Sequence, residues 1–269
     1  MEEKLNIKAA LEYYVMAGVD EILADEPFGV GLSEKKAAAT EAVIRRAPVI
    51  LPTASASSGR QATTELAQAT LSACQNAHEI CAASQTLDEL RTAVEKFDGC
   101  ALKLTASHMV FGDGNPHARV VLVGEAPGAD EDRIGRPFVG RSGHLLDKMM
   151  AAIGMDRSAY YITNVLPWRP PGNRTPTSAE IAVCLPFLKR QIELVNPEYI
   201  LILGGSAANA LLDNQEPISR LRGRWLEYEK SDGGKIQVLA SFHPAYLLRN
   251  AAQKSRAWSD LLRLKKTMQ

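Results

Sequence analysis

Apolar and polar positions along the chain follow two regimes that meet near residue 100. Before it, apolar residues recur at three- and four-residue spacings, the period of an amphipathic helix. Residues 5–17 and 19–23 predict one helix ending near Asp25 to Pro27, and residues 34–46 predict a second. Residues 62–83, rich in Ala, Leu and Gln, predict a third, and Thr86 followed by Asp88, Glu89 and Leu90 marks a capped start for a fourth reaching Phe97. Between the second and third, APVILPTASASSGRQ combines prolines with small polar residues, the composition of a flexible linker. From residue 118 the pattern changes to short continuous apolar runs. RVVLVGEAPG, AYYITNVLP and YILILGG read as buried parallel strands. A loop follows the first, and helices are predicted at 142–153, 177–195 and SAANALL. RWLEYEKSDGGKIQVLASFHP reads as a hairpin leading into a last strand, and residues 246–268 as a terminal helix. Strands alternating with helices predict an α/β fold, three-layer α/β/α with a short central parallel sheet, in which ligands bind at the carboxyl ends of the strands. The expected division is a helical N-terminal extension over 1–98, with a linker near 47–61, and the α/β domain over 99–269.

Composition changes this picture little: 46% hydrophobic and 23% charged residues describe an ordinary globular chain with ample core material. No run of about 18 apolar residues occurs, and MEEKLNIKAALEYY is too acidic and polar for a secretory signal, so a cytoplasmic protein with no membrane association is expected. Cys74, Cys81, Cys100 and Cys184 form no CxxC pair, which argues against a disulfide framework. Charge is more informative when the chain is cut before Cys100. Residues 1–99 carry 9 basic and 15 acidic side chains, net −6, and the remainder carries 22 and 16, net +6. A basic domain suits a polyanion partner, as it does many enzymes with no such partner.

Three segments with chemical potential stand at predicted strand ends: Gly124 to Gly128, Asn164 and His243. Each alone has an ordinary structural explanation: a tight turn chosen for its glycines, a turn or capping asparagine, and a buried histidine with its hydrogen bonds satisfied. GEAPGADEDRIG has neither GxGxxG nor a P-loop lysine, which disfavours a nucleotide-binding or phosphotransfer enzyme.

Taken whole, the strings GEAPGADEDRIGRPFVGRSGHLLD, YYITNVLPWRPPGNRTPT and FHPAYLLRN strongly resemble the family 4 uracil-DNA glycosylases, over residues 100–268 and with VFGDGNP and GRW also matching. The resemblance implies an enzyme that flips uracil out of single- or double-stranded DNA and hydrolyses its bond to deoxyribose. It implies that Gly124, Ala126, Pro127 and Gly128 shape the uracil pocket, that Phe138 stacks on the base, and that Asn164 accepts from uracil N3–H while donating to O4. His243 then donates to O2 as negative charge develops there. The enzymes of family 1 carry a catalytic aspartate where this chain has Ala126, a departure shared by family 4, so Glu125 and Glu131 are the matching candidates. One orients water and the other walls the C5 edge, with their roles interchangeable at this point. Phosphate contacts are expected from Arg136, Ser142, Gly143, Arg174 and Arg249, and an apolar wedge from Leu247 and Leu248. A monomer is expected, with a protein partner for the N-terminal extension as a further expectation.

One departure is large. Family 4 enzymes hold a 4Fe-4S cluster with four cysteines, and alignment on VFGDGNP and RPP places Phe97 and Trp168 at two ligand positions, leaving Cys100 and Cys184 at the others. No cluster and no other metal are therefore expected, with the aromatics filling the vacated volume. The rival reading is a non-catalytic binder of uracil-containing or damaged DNA.

Overall fold

The structure, a computed structural model, describes residues 56–269, with side chains from residue 67 onward. The helices expected at 5–23 and 34–46, and linker residues 47–55, lie outside the described residues. Residues 57–269 form one compact unit.

A six-stranded mixed sheet organises that unit, in the order β1-β3-β2-β4-β6-β5. Its strands are β1 (Asp113–Gly114), β2 (Val120–Gly124), β3 (Tyr161–Asn164), β4 (Tyr199–Leu203), β5 (Trp225–Glu229) and β6 (Lys235–Ser241). β3, β2, β4 and β6 pair in parallel, whereas β1 and β5 pair antiparallel at the two edges. The central strands are apolar without alternation because both faces are covered. Val121, Val123, Ile200, Ile202, Val238 and Ala240 face α5 (Ser178–Val195) and α6 (Gly205–Leu212), meeting Leu188, Ile192, Ala207 and Leu211. Their neighbours Val120, Leu122, Leu201, Leu203 and Leu239 face α4 (Arg141–Ala152) and α9 (Lys254–Met268), meeting Leu146, Met150, Leu261 and Leu264. The period-two pleat thus produces the three layers expected from the sequence.

A third apolar cluster joins α1 (Ala56–Ala83) and α2 (Leu87–Lys96) to α5, through Ala77, Leu90, Val94 and Phe97 against Trp168, Val183, Cys184 and Phe187. Both helices, assigned from sequence to an extension ending at 98, therefore share the compact unit of residues 99–269. α2 starts as expected, with the Thr86 hydroxyl accepting from Glu89 N at 3.2 Å. α5 starts with a reciprocal capping box between Thr177 and Glu180 and ends at left-handed Asn196.

Four expectations require correction. α1 begins at Ala56, so residues 56–61 of the expected linker are helical. The segment after β2, expected as a loop, contains a short helix α3 (Ala129–Ile134) closed by left-handed Gly135. The terminal helix is broken at Asn250 (φ −125°, ψ 75°) into α8 (Pro244–Arg249), a 3-10 turn and α9. The sheet also gains an antiparallel edge at β1, whereas the antiparallel β5–β6 pair at the other edge is the hairpin expected from the sequence. The remaining helix, α7 (Ile218–Leu221), precedes the hairpin. Among the described residues no helix is long and apolar enough to cross a membrane.

Candidate active site

A crevice of about 360 Å³ opens at the carboxyl ends of β2, β3 and β6, where the sheet order reverses around β2. The strand ends deliver Glu125, Asn164 and His243 to it together, as the sequence predicts.

Asn164 ends β3 directly beside Gly124 of β2 and is 4% exposed. Its Oδ1 is buried without a hydrogen-bond partner among the described residues. Leaving such an acceptor unpaired costs roughly 1–3 kcal/mol, so the unfilled valence points to a donor supplied from outside the chain. Gly124 does not line the crevice; it lies beneath, and a Cβ there would stand 2.4 Å from Asn164 Oδ1 and 2.6 Å from the Phe138 ring. Its contribution is the absence of a side chain.

Phe138 adopts a left-handed backbone, φ 53°, which is strained for an aromatic residue and persists only when its surroundings impose it. They do so from three directions. Glu131 Oε1 accepts from Val139 N and Gly140 N, both at 2.9 Å, while Oε2 accepts from Gly128 N at 3.1 Å. The Arg157 guanidinium donates to the carbonyls of Pro137 and Phe138. Gly143, with a virtual Cβ only 1.9 Å from Phe138 O, allows α4 to pack under the turn. Gly143 is buried and, unlike Ser142, does not line the crevice.

The four acids of GEAPGADED therefore have separate jobs. Glu131, 8% exposed, has both oxygens committed to backbone amides and braces the turns carrying Phe138 and Gly128. Asp132 is buried and accepts from Ser107 N at 2.7 Å and His108 N at 3.2 Å. Asp130 is exposed and reaches Arg133 at 3.4 Å. Glu125 lines the crevice, and its carboxylate makes no hydrogen bond or ion pair among the described residues.

His243 leads from β6 into α8 as the helix cap, its Nδ1 accepting from Ala245 N at 3.1 Å. With Nδ1 an acceptor, the neutral ring carries its proton on Nε2. Burial pushes the imidazole down to about 4, helped by the charge of Arg249 and opposed by Glu131, so the ring is neutral at physiological pH. Its centroid lies 5.7 Å from that of Phe138.

Around this centre, Ala126, Pro127, Gly128, Ser142, Arg174 and Arg249 line the crevice. Arg174 is already paired with Glu180 at 2.6 Å, and Arg136, which does not line the crevice, is paired with Asp113 at 2.8 Å. Leu247 corrects an expectation: it is 1% exposed and packs against Phe242 and Ala257, because α8 turns it inward, whereas Leu248 stands 41% exposed. Tyr246 also lines the crevice and was missed from sequence; its place three residues after His243 on α8 was the available signal. Arg157, which also pairs with Asp147 at 2.7 Å, was missed because the turn it braces through the Pro137 and Phe138 carbonyls is remote from it in sequence.

Behind the crevice, Cys100 and Cys184 are buried with Phe97 and Trp168. The two thiols interact with each other, which lowers Cys100 and, together with burial, raises Cys184 relative to an ordinary thiol. Phe97 meets Phe187 edge-on at 5.0 Å, and Trp168 is 2% exposed. A 4Fe-4S cubane takes four protein ligands, and this pair of thiols with two aromatic rings does not fit it. Among the described residues no group of three or more His, Cys, Asp or Glu side chains could hold a metal ion.

Comparison with known proteins agrees with this geometry. The model of the uracil DNA glycosylase superfamily matches residues 111–262. A type-4 uracil-DNA glycosylase of Thermotoga maritima is 44% identical over 164 residues, covering 61% of this chain and 83% of the relative. That of Archaeoglobus fulgidus is 40% identical over 184 residues, covering 67% and 92%. A type-5 uracil-DNA glycosylase of Pyrobaculum aerophilum is 30% identical over 155 residues, covering 52% and 67%.

Proposed function

The chain belongs to the uracil DNA glycosylase superfamily and within it to the type-4 enzymes, and from that premise we propose that it flips uracil out of DNA and hydrolyses the glycosidic bond, leaving an abasic site. The observation that carries this reading is the orphaned Asn164 Oδ1 in the same crevice as a neutral His243 with its proton on Nε2. An acceptor and a donor so placed complement uracil N3–H and O2. The Asn164 amide nitrogen then donates to O4, whereas cytosine presents the opposite pattern at positions 3 and 4. Phe138 stacks on the extruded base.

As the C1′–N1 bond breaks, its electron pair passes to uracil and charge accumulates on O2, where the Nε2–H donor gains strength. Glu125, the crevice carboxylate with no partner among the described residues, orients water toward C1′ and offsets the oxocarbenium charge of the sugar. Water supplies the hydroxyl at C1′, and its proton ends on uracil N1. Glu131 serves by holding Phe138 and Gly128 rigid along the C5 edge. Ser142 and Arg249 at the crevice mouth receive backbone phosphates, with Gly143 N, Arg174 and Arg136 as outer contacts, and Leu248 supplies the wedge.

Release of uracil from a labelled oligonucleotide, scored as alkali-labile abasic sites, tests the assignment. Tight binding with no release would establish the non-catalytic binder instead. The enzyme is further proposed to work without an iron-sulfur cluster, a reading supported by the packing of Phe97 and Trp168 beside Cys100 and Cys184, at the places where the family resemblance would put two further cysteines. Purified protein is expected to lack iron; stoichiometric iron with broad absorbance near ~400 nm would overturn this.

A further inference from the structure

Behind His243, two side chains distant in sequence, Arg222 and Ser241, converge on a buried carboxylate. Asp260 of α9 is 0% exposed; its Oδ2 accepts from Ser241 Oγ at 2.8 Å and from Arg222 Nε at 3.1 Å, and its Oδ1 from a second Arg222 nitrogen. The same guanidinium donates to Arg256 O and lies 5.4 Å over the Phe242 ring. Gly223 N donates to Ala240 O at 3.0 Å, and a Cβ on Gly223 would stand 2.7 Å from Asp260 Oδ1. Residues 240, 241 and 242, the last three before His243, are thus each tied to this network. On its other side the imidazole packs against Gly204, whose virtual Cβ lies 3.2 Å from His243 Cβ.

Stability alone does not call for such a network. Burial pushes the Asp260 carboxyl above the ordinary carboxylate range, against the pull of Ser241 and Arg222, and well-packed apolar residues generally replace a buried ion pair without loss. What apolar residues cannot reproduce is directional fixing of a strand end. α8 is a six-residue helix with His243 as its cap, so the orientation of the imidazole follows the end of β6. A donor that must meet an oxygen at hydrogen-bond distance tolerates little displacement, since misplacement by about 1 Å costs up to roughly 100-fold in rate.

We propose that Asp260 is a positioning residue for His243: together with Arg222 and Ser241 it fixes the end of β6 so that Nε2 points at the leaving uracil. The inference rests on the reading of His243 as the donor to uracil O2.

The test is a double-mutant cycle on the full chain, read as single-turnover uracil excision beside affinity for abasic-site DNA. Asp260→Asn is expected to slow excision about 10-fold with abasic-site affinity unchanged, and to change the rate less than about twofold when His243 is already Ala, because it acts through that ring. The apolar pair Arg222→Met with Asp260→Leu guards against simple unfolding: it is expected to keep the wild-type melting temperature and still lose about 10-fold in rate. An equal loss in both His243 backgrounds would mark Asp260 as generally structural, and a folded apolar pair with wild-type rate would remove the positioning role. If His243→Ala alone kept the wild-type rate, the reading beneath the proposal would fail instead.

Discussion

The crevice and the apolar cluster behind it are built back to back from the same short segments, yet they treat buried polar atoms in opposite ways. Residues 164–168 feed both: Asn164 faces the crevice, while Leu166 and Trp168 enter the cluster. Ala126 touches both regions. In the crevice the protein leaves polar groups unfilled, the Asn164 acceptor and the Glu125 carboxylate. In the cluster the polar atoms satisfy each other, thiol to thiol, and aromatic rings occupy the remaining space. Unfilled valence marks a place kept for a ligand, and mutual satisfaction marks a place devoted to packing. The two regions should therefore fail differently when perturbed.

The largest effect should come from the packing side. Trp168→Ala is expected to remove about 3–5 kcal/mol of folding free energy, measured by chemical denaturation, while the folded fraction excises uracil within about threefold of wild type. A large loss of rate in folded protein would show that the cluster shapes the crevice directly. On the crevice side, His243→Ala should reverse that profile. The single-turnover rate is expected to fall about 100- to 1000-fold, equivalent to about 2.7–4 kcal/mol, with folding stability altered by only about 1 kcal/mol from the lost cap. Asn164→Asp comes next, with uracil excision falling about 100-fold and preference moving toward cytosine when the acid is protonated. Unchanged uracil turnover in that variant would take Asn164 out of base recognition.

The smallest effect separates the regions by pH. His243 titrates at 6.5 in the unfolded chain and near 4 in the folded one, chiefly through burial, so the unfolded state binds the proton first. Stability from this group is complete above pH 6.5 and is lost as pH falls toward 4, amounting to about 1 kcal/mol at pH 5.5. Comparing urea midpoints at pH 7.5 and 5.5 should show this slope in the wild type and in Trp168→Ala, but not in His243→Ala. A slope unchanged in His243→Ala would place the titration elsewhere. Catalysis through a neutral donor should stay flat over the same range.

Much of this molecule is written in local pattern. The continuous apolar runs at 120–124 and 199–203 require a sheet covered on both faces, and the Thr86 and Thr177 caps follow from side chains that satisfy amides within one turn. The motif strings likewise place Glu125, Asn164 and His243 at strand ends, and these do meet in one crevice. Local pattern fails where long-range packing decides. Nothing near Leu247 and Leu248 says which one α8 turns inward, because that depends on Phe242 and Ala257. The acids after β2 look alike in sequence; only the distances to Gly128, Val139 and Gly140 make Glu131 a brace and leave Glu125 free. Sequence thus determined the layers, the strand ends and the residues gathered there, since these follow from hydrophobic period and local hydrogen bonding. Which gathered group stays unpaired, and how Asp260, Arg222 and Ser241 come to sit behind His243, only the tertiary structure decided. Those outcomes depend on contacts between residues up to 38 positions apart, which no local pattern encodes.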